Sequence, residues 1–273
     1  MNNTPLPLSV ALVTLNEEAN LPRCLESVRG IAAEIVVIDS GSTDRTPEIA
    51  REFGARFETA AWEGFIVQKN RALDACTQPW VLFLDADEAL SPELAASLKA
   101  LFAKGEPQAD GYWLNRRTWY LGAWIWHAWY PEWRLRLIRR GAACWGGMDP
   151  HAALDFTGTA ARLEGDLLHY SFRDLQDHLQ RTLGYARTMA DSYAARGRKF
   201  RWRHLLLSPW VAFTKHLLLK QGWRDGWRGW IISIVRGIDC FAKYAFLLER
   251  ERALDGSTPC RPADAAKNAK PSV

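Results

Sequence analysis

Cysteine is scarce and scattered in this chain of 273 residues. The five, Cys24, Cys76, Cys144, Cys240 and Cys260, are odd in number and include no Cys-x-x-Cys pair that would mark a zinc or thiol-redox site, so a reducing compartment is expected. A membrane-spanning helix needs about 20 mostly apolar residues. The uncharged, aromatic run at 118–131 is too short and contains Gly122, His127 and Pro131. Residues 1–5 lack the basic start and apolar core of a secretory signal, so export is not expected. No solenoid-type repeat is visible. With 48% hydrophobic and 24% charged residues the chain is not a disordered protein, and it can bury one large core or two small ones.

What is present is unevenly placed. Residues 1–110 carry 9 Lys/Arg against 17 Asp/Glu, residues 111–252 carry 23 against 12, and the remaining residues carry 3 against 2. An acidic first part and a basic second part imply different partners, the basic one suited to an anionic surface or polyanion. Twelve of the 14 tryptophans lie between Trp113 and Trp230. Tryptophan beside arginine is the composition of a membrane interface or of a carbohydrate or nucleic-acid site. The basic half shows no recognised nucleic-acid module, and the best-formed pocket falls in the acidic half, so nucleic acid is not expected as a partner.

Apolar, β-favouring runs at 8–15, 35–38 and 80–84, with a short strand near 56–58, alternate with helical spacing at 21–28, 47–53 and 66–76. This predicts an α/β fold with a mainly parallel sheet covered by helices on both faces. Ligands of such sheets sit outside the carboxyl ends of the strands. There the sequence has Thr14 and Asn16, then Asp39 with 40–44, then Asp85 and Asp87. Residues separated by one along a strand point to the same side, so Asp85 and Asp87 are expected to project together and to hold a divalent ion on a phosphate. Each cluster has a plainer reading. Asp-x-Asp caps many helices, Asp39-Ser40-Gly41-Ser42 reads as an Asx turn, and Lys69 with Arg71 reads as a solvated helix face. A planar guanidinium at Arg71 could instead meet a diphosphate in bidentate fashion.

Residues 8–18 (LSVALVTLNEE), 37–44 (VIDSGSTD), 69–72 (KNRA) and 84–88 (LDADE), in this order and spacing, resemble family 2 glycosyltransferases of the GT-A fold, a Rossmann-like architecture. The resemblance implies a nucleotide-sugar donor, usually a UDP-sugar, with Mg2+ or Mn2+ at the Asp-x-Asp. By position it gives Thr14, Glu17, Asp39 and Arg71 to the nucleotide, Asp85 to the ribose or metal, and Asp87 to the metal. Asn16 and Ser42 from the same rim clusters, with Lys69, complete the donor-side set. Residues 130–140 (YPEWRLRLIRR), Gly146-Gly147 with a nearby His, and 222–229 (GWRDGWRG) before Lys243-Tyr244 resemble one subgroup, the inner-core β-1,4-glucosyltransferases of lipopolysaccharide synthesis in Gram-negative bacteria. Transfer of a hexose, glucose, to a heptose of that core is implied. Another lipid-linked or polysaccharide acceptor, or a non-catalytic GT-A protein that binds a membrane surface, is the alternative.

One departure bears on catalysis. The subgroup pattern has a His-Glu pair after the Gly-Gly; here His151 is followed by Ala152, and Asp149-Pro150 precedes it. Asp149, His151 and Glu132 are therefore the candidates for the general base, Asp149 first. From Phe172 onward the spacing becomes helical. Trp223, Trp227, Trp230, Ile231 and Ile234 share one helical face and Arg224, Asp225 and Arg228 another. These aromatic helices read either as core or, where 205–207, Trp210, Phe213 and 217–219 are interleaved with Arg201, Arg203, Lys215 and Lys220, as a helix lying in an anionic membrane interface. The expected organisation is a nucleotide-sugar half at 1–110, an acceptor-side region of the same domain at 111–170, a helical, aromatic and basic, membrane-associating region at 171–252, and a disordered tail at 253–273. The expected location is cytoplasmic, peripheral on the inner face of the inner membrane.

Overall fold

Leu8, Val10, Ala11 and Leu12 are fully buried, so neither face of the first strand, β1 (Leu6–Thr14), meets water. In the computed structural model, which describes residues 4–148 and 151–254, β1 is flanked accordingly. β1, β2 (Ala32–Asp39), β3 (Arg56–Thr59) and β4 (Trp80–Asp85) run parallel in the order β3-β2-β1-β4. Leu8, Val10 and Leu12 face one side with α1 (Leu21–Val28) and α2 (Thr46–Glu52); Ala11 faces the other with α3 (Phe65–Ala75). The α1 helix buries Leu21, Cys24, Leu25 and Val28, the single stripe that helical spacing provides. The predicted parallel sheet with helices on both faces is thus found.

Beyond β4 the sheet turns mixed. The remaining strands are β5 (Glu88–Leu90), β6 (Gly111–Tyr120), β7 (Ala123–Trp124), β8 (Glu132–Arg139), β9 (Ala143–Met148), β10 (His151–Phe156) and β11 (Ala160–His169). β8 is antiparallel to β4 and β6, β11 is parallel to β6, and β5 closes the edge antiparallel to β11. β9 and β10 form a separate antiparallel ribbon. The α4 helix (Pro92–Ala103) starts with Ser91 accepting the Leu94 N–H at 3.2 Å and lies against β11. Gly165 permits this approach: its φ is +91°, and a Cβ there would collide with the Leu94 backbone.

The described residues up to Phe172 form one compact unit and those from Arg173 another. The second contains α5 (Leu175–Ala195), α6 (Trp202–Thr214), a π-helical turn at Lys215–Leu219, a 3-10 turn at Gly222–Asp225, and α7 (Trp227–Leu254). Asp174 caps α5 by accepting the Asp177 N–H at 2.8 Å. Ala190, Leu205, Tyr244 and Leu247 make its core. The expected stripe is split, because Trp223 sits in the 3-10 turn and α7 begins only after Gly226 (φ +63°). Among the described residues no helix is long and apolar enough to cross a membrane. The tail from residue 255 lies outside the described residues.

Candidate active site

Parallel register sets the strand ends side by side: Thr14 pairs with Asp39, and Val13 with Asp85. The loops after β1 and β2 are laced together at this rim. Asp39 Oδ1 accepts from Thr14 Oγ1 (2.8 Å) and Ser42 Oγ (2.5 Å), while Oδ2 accepts from the N–H groups of Gly41 (2.9 Å) and Ser42 (2.7 Å). The Asx turn is therefore real, and it holds this buried carboxylate fixed. Asn16, in left-handed backbone (φ +55°), donates its N–H to Ser42 Oγ (2.8 Å) and accepts from Thr43 N–H (2.8 Å). Glu17 donates its N–H to Thr46 Oγ1 (2.8 Å) and accepts from Asn20 Nδ2 (3.0 Å). Thr14, Asn16, Glu17, Asp39 and Ser42 thus come together.

The acidic stretch is divided. β4 ends at Asp85, and Asp87 falls in the turn before β5, so the two carboxylates meet different partners rather than one. Lys69 Nζ donates to Asp85 Oδ1 (2.9 Å), and Arg136 donates to Asp85 Oδ2 (2.6 Å) and to Glu88 (2.7 Å). Arg116 in turn pairs with Glu88 (3.2 Å) and clasps Glu132 in bidentate fashion (2.9 and 3.0 Å). Arg134 completes the row on Glu132 (2.5 Å). Glu88 is fully buried and Arg136 nearly so, and such charges are tolerated inside only when paired in this way. Burial alone would raise the Asp85 carboxyl, but Arg136 and Lys69 hold it well below the usual carboxylate range. At Glu132 burial is likewise outweighed, chiefly by Arg116, and the carboxyl is held at about 2.

Asp87 has its own partner. His169 Nε2 stands 3.4 Å from its carboxylate, and His169 Nδ1 is 3.2 Å from Thr118 Oγ1. Burial opposes ionisation of Asp87, and His169 overcomes it, so its pKa is lowered. Among the described residues no group of three or more His, Cys, Asp and Glu side chains is set to hold a metal. One carboxylate with one imidazole still fits an ion that keeps waters and takes phosphate oxygens from a ligand.

Arg71 is directed elsewhere, onto Ala61 O (2.9 Å), Gln68 Oε1 (2.9 Å) and Glu63. Gln68 links it back to the rim through Ser40 Oγ (2.9 Å). On the same helix Asn70 pins the β9–β10 ribbon by exchanging two hydrogen bonds with the Trp145 backbone (2.8 and 2.9 Å). The Trp145 ring packs against Phe83 and lies under Lys69. Asp149 falls outside the described residues; the His151 backbone pairs with Met148 in the ribbon. Ala152 packs on the core that includes Trp145 and Phe83. Beyond His169, the Tyr170 ring meets Arg23 (3.8 Å) and Trp124 (5.5 Å), and Arg117 lies over Trp124 (5.0 Å) and Trp126 (4.4 Å). Sequence reasoning missed Glu88, Arg116, Arg136, Thr118 and His169. Glu88 and Arg136 stand inside motifs already singled out; nothing local marks Arg116, Thr118 or His169 as site residues.

Residues 9–159 match Glycosyl transferase family 2, and the chain belongs to that family. It is 31% identical over 257 residues to the lipopolysaccharide core biosynthesis glycosyltransferase LpsC of Rhizobium meliloti (strain 1021), covering 90% of this chain and 93% of that protein. An uncharacterized glycosyltransferase of Rickettsia typhi is 28% identical over 253 residues, covering 89% and 87%. Among solved structures, glucosyl-3-phosphoglycerate synthase from Mycobacterium tuberculosis in complex with Mn2+, uridine-diphosphate and glucosyl-3-phosphoglycerate is 28% identical over 42% of this chain and 44% of that one, at a TM-score of 0.33. Family membership makes the chain a glycosyltransferase, and its fold is of the α/β class.

Proposed function

We propose that the protein transfers glucose from a UDP-sugar to a heptose of the lipopolysaccharide inner core, inverting the anomeric centre in one displacement. The observation that carries this reading is the Asp87–His169 pair at the strand rim, beside Asp85 with Lys69 and the fixed turn around Asp39. Asp87 and His169 would hold Mg2+ or Mn2+, which supplies positive charge to the leaving diphosphate. Thr14, Asn16, Glu17, Asp39 and Ser42 form the nucleoside end of the crevice. Lys69 lies between Asp85 and the Trp145 ring, well placed to neutralise phosphate once a donor arrives. Arg71 steadies the 61–63 loop beside it.

Glu132 is a poor base at a pKa of about 2, so it serves as a positioning residue for Arg116. Asp149 or His151 then takes the proton of the acceptor hydroxyl; the ribbon that carries the His151 backbone is anchored by Asn70. Residues 111–170 form the acceptor side, where the rings of Trp124, Trp126 and Tyr170 suit the apolar face of a sugar. The exposed aromatic and basic helices of the second unit support peripheral contact with an anionic membrane at the cytoplasmic face of the inner membrane, where a lipid-anchored acceptor is met.

The test has two stages. UDP with Mn2+ at about 100 times its dissociation constant should stabilise the protein by roughly 2.7 kcal/mol in a thermal melt, and Asp87→Ala should abolish that gain. Transfer from UDP-glucose to a truncated core acceptor should follow. Binding without transfer to any lipid-linked acceptor would favour the non-catalytic reading that Ala152 raises.

A further inference from the structure

Positions 203, 207, 211 and 215 recur every four residues and so share one edge of α6 and its π-helical extension. That edge borders an open groove of about 430 Å³ completed by Arg236 and Cys240 of α7. The charge in the groove is of one sign. Arg203, Lys215 and Arg236 line it together with His204 and His216, and among the described residues no Asp or Glu does. Arg236 is shared with Asp239 at 3.2 Å, whereas Arg203 and Lys215 have no ion-pair partner among the described residues. Both histidines are pushed toward the neutral form, by burial first and then by the surrounding cations, Arg203 at His204 and Arg236 at His216. The space is electropositive and carries no anion of its own.

Its lip is apolar and wet. Leu207 and Val211 line the groove yet are 62% and 63% exposed, and Leu206 and Trp210 beside them on α6 are 60% and 69% exposed. A free anion would satisfy the cations and leave this lip in water. A nucleic acid would offer phosphates but nothing to cover aliphatic side chains. An amphiphile meets both demands, with its phosphate among the cations and its chains along the lip.

We propose that the groove between α6 and α7 binds the phosphate headgroup of an anionic glycerophospholipid, so that the second unit docks on a membrane through a defined site as well as a general apolar face. This rests on the membrane-contact reading above. The test is flotation of the full chain with vesicles of phosphatidylcholine alone or mixed with phosphatidylglycerol. Binding should require phosphatidylglycerol, and Arg203→Gln with Lys215→Gln should weaken it about 25-fold, at roughly fivefold per charge. Both side chains are exposed, so the melting temperature should hold. A control pair of equal charge change, Arg196→Gln with Lys199→Gln, should cost much less.

Equal losses from the two pairs would mean a diffuse electrostatic film and overturn the site. Equal binding to both vesicle types would overturn the site while leaving membrane contact standing. No binding to either would remove the membrane reading and the site with it. Stabilisation by inorganic phosphate as large as that by lipid, and lost in the Arg203/Lys215 pair, would show a free-anion site and overturn the lipid assignment.

Discussion

Glu88 has no contact with water, and both Arg116 and Arg136 end on its carboxylate. Glu88→Gln keeps the shape but removes the charge that Arg116 and Arg136 share, leaving them to Glu132 and Asp85, and should lower stability by about 1–3 kcal/mol. A shift in the urea midpoint at unchanged slope would register it. Glu132 has a different test. Because its carboxyl is held at about 2, it stays ionised throughout any working range and cannot set the acid limb of a pH–rate profile. Glu132→Gln should lower kcat/KM about tenfold by loosening Arg116 while the acid limb stays in place; a limb that moved would make Glu132 the base. At this scale the sequence was legible where chemistry is local. Asp39 could be read as a turn and as a site because, Thr14 apart, its donors lie within three residues. His169 could not, because it reaches Asp87 only through strand pairings spanning some 80 positions.

The elements show the same division. β1, β2 and β4 announce themselves as apolar runs because burial on both faces demands one. β5, only three residues long, and the β6–β8–β11 pairings depend on returns of the chain that no short window contains. In α5, His178 is held at about 4, against 6.5 in an open chain, by burial first and then by Arg236 of α7, with Asp177 opposing. The unfolded chain therefore takes up a proton below pH 6.5 that the folded helix refuses until about pH 4. Stability is lost as pH falls through that window, to the extent of about 3 kcal/mol. Amide exchange over 175–195, corrected for its intrinsic rate, should speed up between pH 6.5 and 4, and His178→Gln should flatten the slope.

At the scale of the whole molecule, the acidic and the basic parts fall mainly on different units, whereas the tryptophans are divided, nine in 1–172 and five beyond. The sheet and its acidic rim belong to 1–172, while a row of large apolar side chains on α7, Trp227, Trp230, Ile234, Ile238 and Phe241, stands in water in the second unit. Periodicity alone could not separate this from core packing, because a stripe facing a membrane and a stripe facing protein have the same 3.6-residue repeat. Exposure separates them, and it makes a prediction opposite to that for a core. Changing a buried aromatic to a small side chain costs about 3–5 kcal/mol, whereas surface changes fall within about 0.5 kcal/mol. Trp227→Ser, Trp230→Ser and Phe241→Ser together should therefore leave the melting temperature within a few degrees. The same triple variant should lose most of its partitioning to anionic vesicles and transfer poorly to a lipid-embedded acceptor, while its rate on a short water-soluble acceptor is kept. A large fall in melting temperature would instead place those rings in a protein core and remove the physical ground for membrane contact.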